Sequence, residues 1–268
     1  MTALSGEDLA AYVDGAAWAS GPQLVYDRLA AAALASLPER LDGAKALDVG
    51  AGTGAATLEL LRRGGDVVAV DRSPSMLAEL TRQTNGRVPT LVADIRRLGL
   101  PDDTYDVTVA AFVLNHLDRP ADGVRELARV TRAGGRVIAT TFGTADHPVK
   151  AAVDDVLRRF GYVHPAWYTN IKRDVVPLTA TSDAFARAGV EGGLTDVSVD
   201  DITVDLAGLP VEAMVGYRLG MAHIAPFVAS LDDADRRTLH EAVVAAVAPL
   251  PPMQPQMLVL NGRGRASA

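Results

Sequence analysis

The chain has no cysteine among its 268 residues, which excludes disulfide bonds, thiolate metal sites and a cysteine nucleophile. Aromatic residues are scarce, at 5% of the sequence. An excess of basic residues is also missing: the formal net charge is −7, which argues against a nucleic-acid partner. Hydrophobic residues make up 49% and charged residues 22%, proportions that are typical of a globular protein.

Long apolar runs are absent as well. The longest, such as residues 107–114, fall far short of the ~20 residues that span a bilayer. No basic region followed by an apolar segment opens the sequence, so no signal peptide is predicted. We therefore expect a cytoplasmic protein with no nucleic-acid partner and no membrane span; the pattern leaves monomer and homodimer open.

Apolar strands alternate with helices through the middle of the chain. Strands are predicted at residues 45–49, 66–70, 88–93, 105–113 and 135–141, with helices at 54–63, 73–80 and 119–130. Strands that are apolar on both faces and alternate with helices are typical of a parallel sheet built from βαβ units. The sequence therefore predicts an α/β protein.

The flanking segments have a different pattern. Helices are predicted at 7–18 and 22–37 before the alternation, and at 147–160, 182–188, 211–229 and 233–247 after it. Two further strands are predicted at 194–206 and 257–260, with an aromatic-rich loop at 162–171 and a frayed tail at 262–268. The helical material is expected to form a lid over the sheet.

A glycine-rich turn follows the first predicted strand, in the sequence Ala46-Leu-Asp-Val-Gly-Ala-Gly-Thr-Gly54. Its acid is Asp48, and two more acids, Asp71 and Asp94, close the next two apolar strands. Ligands of open α/β sheets bind beyond the carboxyl ends of the strands, so these acids are expected to share one site. Glycines there let the backbone approach a ligand and adopt positive φ values.

Two ligand classes compete for this turn. Gly50, Gly52 and Ala55 satisfy the dinucleotide pattern G-x-G-x-x-A, with Asp71 placed to bind a ribose. A pyrophosphate, however, favours bare N–H groups and positive potential, which the Asp48 carboxylate opposes. S-adenosyl-L-methionine (SAM) carries an ammonium and a sulfonium and no phosphate. A site with three acids therefore suits SAM better than it suits a dinucleotide.

Six stretches of the chain together resemble the class I SAM-dependent methyltransferases, in the small-molecule group that includes the ubiquinone/menaquinone biosynthesis enzymes. They are residues 47–54, 70–77, 92–95, 105–107, 113–117 and 129–137. The resemblance implies SAM as cofactor and S-adenosyl-L-homocysteine as product. It implies that the methionine end, the ribose and the adenine are bound by Asp48, Gly50, Ala51, Gly52, Asp71, Arg72, Met76, Asp94 and Ile95.

The same resemblance implies the architecture. We expect a Rossmann-like, seven-stranded, mostly parallel sheet with an antiparallel last strand, helices on both faces and a helical lid. Residues 1–40 are predicted to be lid helices and 41–143 the SAM-binding core. Residues 144–190 and 207–250 are predicted to be cap insertions that bind the acceptor, and 191–206 and 254–262 the strands that complete the sheet.

Methyl transfer from a sulfonium needs an oriented acceptor and, for a hydroxyl or a weakly acidic carbon, a general base. Three histidines are candidates: His116, His164 and His223. Some relatives pair a histidine at the position of His116 with an acid after the next strand, where this chain has Thr140 or Thr141. The dyad is incomplete, so a helix-start or cofactor-contacting role for His116 stands beside the catalytic one.

Aromatic and histidine side chains of the flanking segments are candidates for an acceptor pocket: Tyr12, Trp18, His147, Trp167, Tyr168 and Tyr217. For each of them packing against the helices or the sheet is the alternative. No spacing of His, Asp and Glu suggests a metal site. The predicted function is methyl transfer to O, C or N of a small metabolite in specialised biosynthesis. A non-methylating cyclisation with bound SAM and an NAD-dependent oxidation are the alternatives.

Overall fold

The computed structural model of the chain describes residues 14–264. Its centre is one seven-stranded sheet with the order β3-β2-β1-β4-β5-β7-β6. The strands are β1 Lys45–Val49, β2 Asp66–Asp71, β3 Thr90–Val92, β4 Tyr105–Ala111, β5 Thr131–Phe142, β6 Thr195–Thr203 and β7 Gln256–Arg263.

The first five strands are parallel, and β7 runs antiparallel to both of its neighbours, β5 and β6. The predicted Rossmann-like fold class is therefore confirmed. β2 and then β3 lie on one side of β1, and β4 lies on its other side, so the strand order reverses at β1. Such a reversal opens a crevice between the carboxyl ends of β1 and β4, where ligands of this class of sheet bind.

Helices cover both faces of the sheet. In the described residues they are α1 Gly15–Ser20, α2 Gln23–Ala33, α3 Ala55–Arg62, α4 Pro74–Gln83, α5 Pro120–Val130, α6 Pro148–Arg159, α7 Ala166–Asn170, α8 Ser182–Glu191, α9 Val211–Leu219, α10 Ala225–Ser230 and α11 Asp233–Val247. One apolar cluster joins the sheet to α2, α6, α9 and α11 through residues such as Val25, Val153, Val215 and Val243. A second, around Leu127 and Phe185, packs α5 and α8 against the opposite face.

The predicted helix over 211–229 is wrong in one respect, because the chain breaks it into α9 and α10. A Cβ on Gly220 would lie 2.6 Å from Cδ of Pro22, so this position lets the α1–α2 turn pack closely. Pro226 lies in the first turn of α10, where its missing N–H is harmless. In a continuous helix, the same proline would interrupt the hydrogen-bond ladder.

The aromatic segment predicted as a loop over 162–171 is also wrong in part. It contains α7, which starts directly after Pro165 and continues into a π-helical turn at Ile171–Val175. Part of the predicted frayed tail is ordered: residues up to Arg263 pair in β7, and the N–H of Gly264 donates to the carbonyl of Gly135. Among the helices described, none is long and apolar enough to cross a bilayer.

Candidate functional site

A cavity of about 690 Å³ lies at the carboxyl ends of β1, β2 and β4, a volume suited to a cofactor or a drug-sized ligand. Its wall includes the glycine turn after β1, the start of α4 and the turn after β4. Ten of the candidate cofactor-binding, catalytic and pocket residues line it: Trp18, Asp48, Gly50, Ala51, Gly52, Asp71, Arg72, Met76, Ile95 and His116.

Asp48 lies at the inner end of the cavity and is almost completely buried, at 1% exposure. Its Oδ2 accepts a hydrogen bond of 2.6 Å from the hydroxyl of Thr57, while Oδ1 has no partner among residues 14–264. Burial raises the pKa of this carboxyl to about 6, and the hydrogen bond from Thr57 opposes the rise. A buried carboxylate oxygen without a donor is costly, and a cationic ligand would supply the missing interaction.

The three glycines of the turn all have positive φ, as the sequence pattern predicted: +71° at Gly50, +54° at Gly52 and +106° at Gly54. A Cβ on Gly50 would lie 2.2 Å from a methyl group of Val113, so this glycine brings β1 and the turn after β4 together. A Cβ on Gly52 would meet no atom within 4 Å. Since Gly52 lines the cavity, that space is open to a ligand.

Asp71, the last residue of β2, is hydrogen-bonded to the glycine turn that follows β1. Its Oδ2 accepts the N–H of Gly52 at 2.8 Å, and its Oδ1 accepts the N–H of Ser73 at 2.8 Å. Burial raises the pKa of this carboxyl, while the backbone donors lower it. A carboxylate has about four lone-pair sites, so both oxygens can still accept a pair of ligand hydroxyls.

Asp94 is placed differently from the other two acids and is not on the cavity wall. Arg96 donates to both of its carboxylate oxygens, with Nη2 at 2.7 Å from Oδ2 and Nε at 2.9 Å from Oδ1. Nη1 of Arg72 lies 3.5 Å from Oδ2. The hydrogen bonds from Arg96 hold the pKa of Asp94 below its usual range. The neighbouring Ile95 lines the cavity instead, and the adenine contact of Asp94 stays a prediction that requires Arg96 to turn away.

His116 follows β4 on the cavity wall, at the end of a 3-10 turn. Burial lowers its pKa to about 4, with the Arg72 guanidinium contributing, so the imidazole is neutral at pH 7. No acid completes a dyad at Thr140 and Thr141, which lie near the end of β5. Thr140 accepts the N–H of Phe112 through its hydroxyl, and the Thr141 hydroxyl lies 3.4 Å from that of Thr179.

The sequence interpretation missed an aromatic wall formed by Tyr26 and Phe112. The Tyr26 ring lies 5.4 Å from that of Trp18, 5.3 Å from that of Phe112 and 5.9 Å from that of Tyr217. Phe112 has a φ of +58°, a strained value for a bulky residue of the kind found at functional sites. Its place directly after β4 was a signal that could have identified it, because side chains at that edge face the crevice.

The other predicted residues lie elsewhere. His147 caps α6, its Nδ1 accepting the N–H of Val149 at 3.3 Å. Tyr217 is buried against Tyr26 but does not line the cavity. Away from the cavity wall lies a separate group: His164, Trp167, Tyr168 and His223. Tyr12 is outside the described residues, and within those described no group of three His, Asp or Glu could hold a metal.

A family profile described as "Methyltransferase domain" matches residues 47–139. Among curated proteins, the chain is similar to the demethylmenaquinone methyltransferase of Mycolicibacterium paratuberculosis. The two are 39% identical over 111 residues, which cover 41% of this chain and 47% of that protein. The chain thus spans about half the length of the curated relatives it matches.

Solved structures share the fold over most of the chain. A putative methyltransferase from an antibiotic biosynthesis pathway of Anabaena variabilis superposes with a TM-score of 0.61 at 17% identity, covering 87% of this chain and 96% of that one. Phosphoethanolamine N-methyltransferase 2 of Haemonchus contortus, solved with SAM, gives 0.58 at 16%, covering 99% and 58%. The (4+2)-cyclase SpnF gives 0.55 at 21%, covering 90% and 82%.

At these identities the solved structures establish the fold alone. The family match adds the domain type, because residues 47–139 contain the glycine turn, the acids after β1 and β2, and the turn after β4. The domain match, the strand order and the stretch shared with the quinone-biosynthesis enzymes agree with one another. Residues 47–139 therefore match a methyltransferase domain, and the chain shares the Rossmann-like fold of the solved methyltransferases.

Proposed function

We propose that this protein binds SAM in the cavity and catalyses transfer of its methyl group to an oxygen, carbon or nitrogen of a small metabolite. The observation that carries the proposal is Asp48, a residue of the cavity wall whose buried Oδ1 has no donor among residues 14–264. An ammonium group fits that oxygen, whereas a pyrophosphate would be repelled by it. The site therefore favours SAM over the dinucleotide that the glycine spacing alone would accept.

The other residues fit the remaining parts of the cofactor. Asp71 would accept the two ribose hydroxyls, and each hydrogen bond to its carboxylate is worth roughly 1.5–3 kcal/mol. Ile95 and Met76 are buried apolar residues on the wall and would pack against the adenine. Arg72 would flank the ribose, in the role that the family resemblance implies.

The bound cofactor supplies an activated methyl group on a sulfonium, so the protein has mainly to orient the acceptor and exclude water. Trp18, Tyr26 and Phe112 form an apolar wall that serves both purposes. Orientation alone can contribute about 7–11 kcal/mol to the barrier reduction. His116, which is neutral and lines the cavity, would accept a proton from an acceptor hydroxyl or carbon acid.

The identity of the acceptor is governed by parts of the chain that the family match does not reach. The match ends at residue 139, before the segments 144–190 and 207–250 that we propose as the acceptor-binding cap. The quinone acceptor named for the curated relatives is therefore not carried over. A cap built from several helices suits a specialised natural-product substrate, which is the class we propose.

Calorimetry of the purified protein with S-adenosyl-L-homocysteine tests the proposal. We expect saturable binding that Asp48→Asn weakens by about tenfold or more, because the amide cannot pair with an ammonium. Absence of binding in the unmodified protein, together with binding of NADH, would favour the oxidoreductase alternative. With an acceptor in hand, mass spectrometry separates methyl transfer, which adds one CH2, from cyclisation, which yields an isomer.

A further inference from the structure

A polar and aromatic group lies in the proposed cap, outside the cavity wall. We name Tyr162, His164, Tyr168, Arg218 and His223 the cap cluster. The ring of Tyr168 stacks on that of His223 with centroids 3.6 Å apart and planes 5° apart. The Tyr162 hydroxyl donates to the carbonyl of His223 at 2.8 Å. These contacts join the turn after α9 to the segment that contains α7. Arg218 lowers the pKa of Tyr162, Tyr168 and His223, so it lies within electrostatic reach of all three.

Arg218 is the unusual member, because its guanidinium is buried, with only 6% of the residue exposed. Its Nη2 lies 3.5 Å from Oδ1 of Asp154, and Nε and Nη2 have no hydrogen-bond acceptor among residues 14–264. A guanidinium carries five N–H donors, and buried charged donors without acceptors cost several kcal/mol. One long ion pair leaves most of this donor capacity unused.

The charges around Arg218 do not balance. Lys150 and Lys172, like Arg218, lower the pKa of His223 and so lie within electrostatic reach of it. Two acids oppose these three cations: Asp146, which is 2.6 Å from Lys150, and Asp154. Arg218 and these four charged neighbours therefore carry one positive charge in excess, which a monoanion would neutralise.

His223 is a second side chain with a polar atom that is unpaired among the described residues. The residue is buried, at 7% exposure, and its Nε2 has no hydrogen-bond partner in the part of the chain that the structure describes. Burial lowers its pKa to about 3, so it is neutral at pH 7 and can donate one hydrogen bond from Nε2–H. A planar anion oxygen would satisfy this donor as well as those of Arg218.

We propose that the cap cluster binds a carboxylate group of the acceptor, with Arg218 as its principal ligand; this assignment rests on the proposed methyl-transfer function. Guanidinium and carboxylate match in a bidentate geometry, and their hydrogen bonds are the stronger, charge-assisted kind. The stacked rings of Tyr168 and His223 suit the apolar body of an aromatic or aliphatic acid. A single excess charge favours a carboxylate over a phosphate dianion.

Helix α9 connects this subsite to the cavity. Tyr217 precedes Arg218 on α9, and its ring lies 5.9 Å from that of Tyr26, which lines the cavity. One residue earlier on α9, Gly216 packs against Gly21, which lies between α1 and α2: a Cβ on Gly216 would lie 3.3 Å from Cα of Gly21. An acid held by Arg218 would thus be held by the same helix that packs against the cavity wall.

Benzoate and its neutral isostere benzamide are suitable probes, titrated calorimetrically into the full chain saturated with S-adenosyl-L-homocysteine. We expect benzoate to bind and benzamide to bind more weakly by about tenfold or more, the factor that 1.4 kcal/mol represents. Arg218→Gln should weaken benzoate by about the same factor, while Arg218→Lys retains part of the affinity. Asp154→Asn should strengthen benzoate binding, because it removes the anion that now competes for the guanidinium.

Equal binding of benzoate and benzamide, no binding of benzoate, or unchanged affinity in Arg218→Gln would each overturn the assignment. If Arg218→Gln does not fold, Asp154→Asn and His223→Phe carry the test: the first must raise and the second lower the affinity for benzoate. S-adenosyl-L-homocysteine affinity, measured in the same samples, should be unaffected by these changes. Loss of cofactor binding in the unmodified protein would refute the proposed function rather than the carboxylate subsite.

Discussion

The hydroxyl of Thr57 donates a hydrogen bond of 2.6 Å to the carboxylate of Asp48, joining the first turn of α3 to the end of β1 beneath the cavity. It is the only side-chain hydrogen bond to Asp48 among the described residues, and it leaves one carboxylate oxygen for a ligand. Thr57 thus holds Asp48 in position and partly offsets the cost of burying its charge. Both effects can be measured.

Thr57→Val replaces the hydroxyl with a methyl group of similar size. We expect affinity for S-adenosyl-L-homocysteine to fall about fivefold or more, because a buried carboxylate that loses its donor costs about 1–3 kcal/mol. Calorimetry near pH 7 measures the change. Thr57→Ser, which keeps the hydroxyl, is the matched control, and equal losses in both variants would show that packing, and not the hydrogen bond, matters.

Cofactor affinity should depend on the ionisation of Asp48. The pKa of this carboxyl is raised by burial to about 6, so the ammonium-binding carboxylate is present above pH 6 and is lost as the pH falls through it. We expect calorimetric affinity for S-adenosyl-L-homocysteine to drop between pH 7 and pH 5. Asp48→Asn should bind weakly at every pH; the same pH dependence in that variant would assign it to another group.

The raised pKa of Asp48 also affects stability: ionisation of this carboxyl favours cofactor binding but lowers the free energy of unfolding. The raised pKa means that the folded state holds its proton more tightly than the unfolded state, whose carboxyl titrates near 3.8. Asp48 therefore reduces the free energy of unfolding progressively from about pH 4 to pH 6, by up to about 3 kcal/mol above that range. Urea denaturation at pH 8 without ligand should find Asp48→Asn more stable than the unmodified protein, and at pH 4 this advantage should vanish.

Asp71→Ala removes the acceptor for the N–H groups of Gly52 and Ser73. Loss of these backbone hydrogen bonds and of the ribose contacts should weaken the affinity for S-adenosyl-L-homocysteine by about tenfold or more, because hydrogen bonds to a charged group are strong. Asp66→Ala, at the exposed opposite end of β2, is the control and should leave the affinity unchanged. An unaltered affinity in Asp71→Ala would disprove the ribose assignment.

Gly52→Ala and Gly43→Ala form a matched pair. Both positions have positive φ, +54° and +73°, and neither Cβ would meet an atom within 4 Å. Each substitution should lower the free energy of unfolding by about 1 kcal/mol, measured by urea denaturation. Only Gly52 lines the cavity, so cofactor binding should fall in Gly52→Ala alone. Weakened binding in both variants would point to a general effect of backbone strain.

Much of the cavity wall, the candidate cofactor site, could be predicted from the sequence, because its parts are local. The glycine turn and the acids Asp48 and Asp71 each sit within a few residues of a strand end, and parallel strands bring those ends to one edge. The break in the helix over 211–229 was less accessible. Pro226 is a local signal for it, but the close approach of Pro22 to Gly220 joins two residues almost two hundred positions apart.

By itself, then, the sequence determined the sheet, the turn and two of the three acids, since hydrophobic period and turn chemistry act over short distances. Only the tertiary structure brought Thr57 into contact with Asp48 and assembled Trp18, Tyr26 and Phe112 into one wall. It also buried Arg218 with donors that no acceptor among residues 14–264 satisfies. Those relationships join segments that are distant along the chain. Their geometry follows from packing of whole helices on the sheet, which no local pattern of residues specifies.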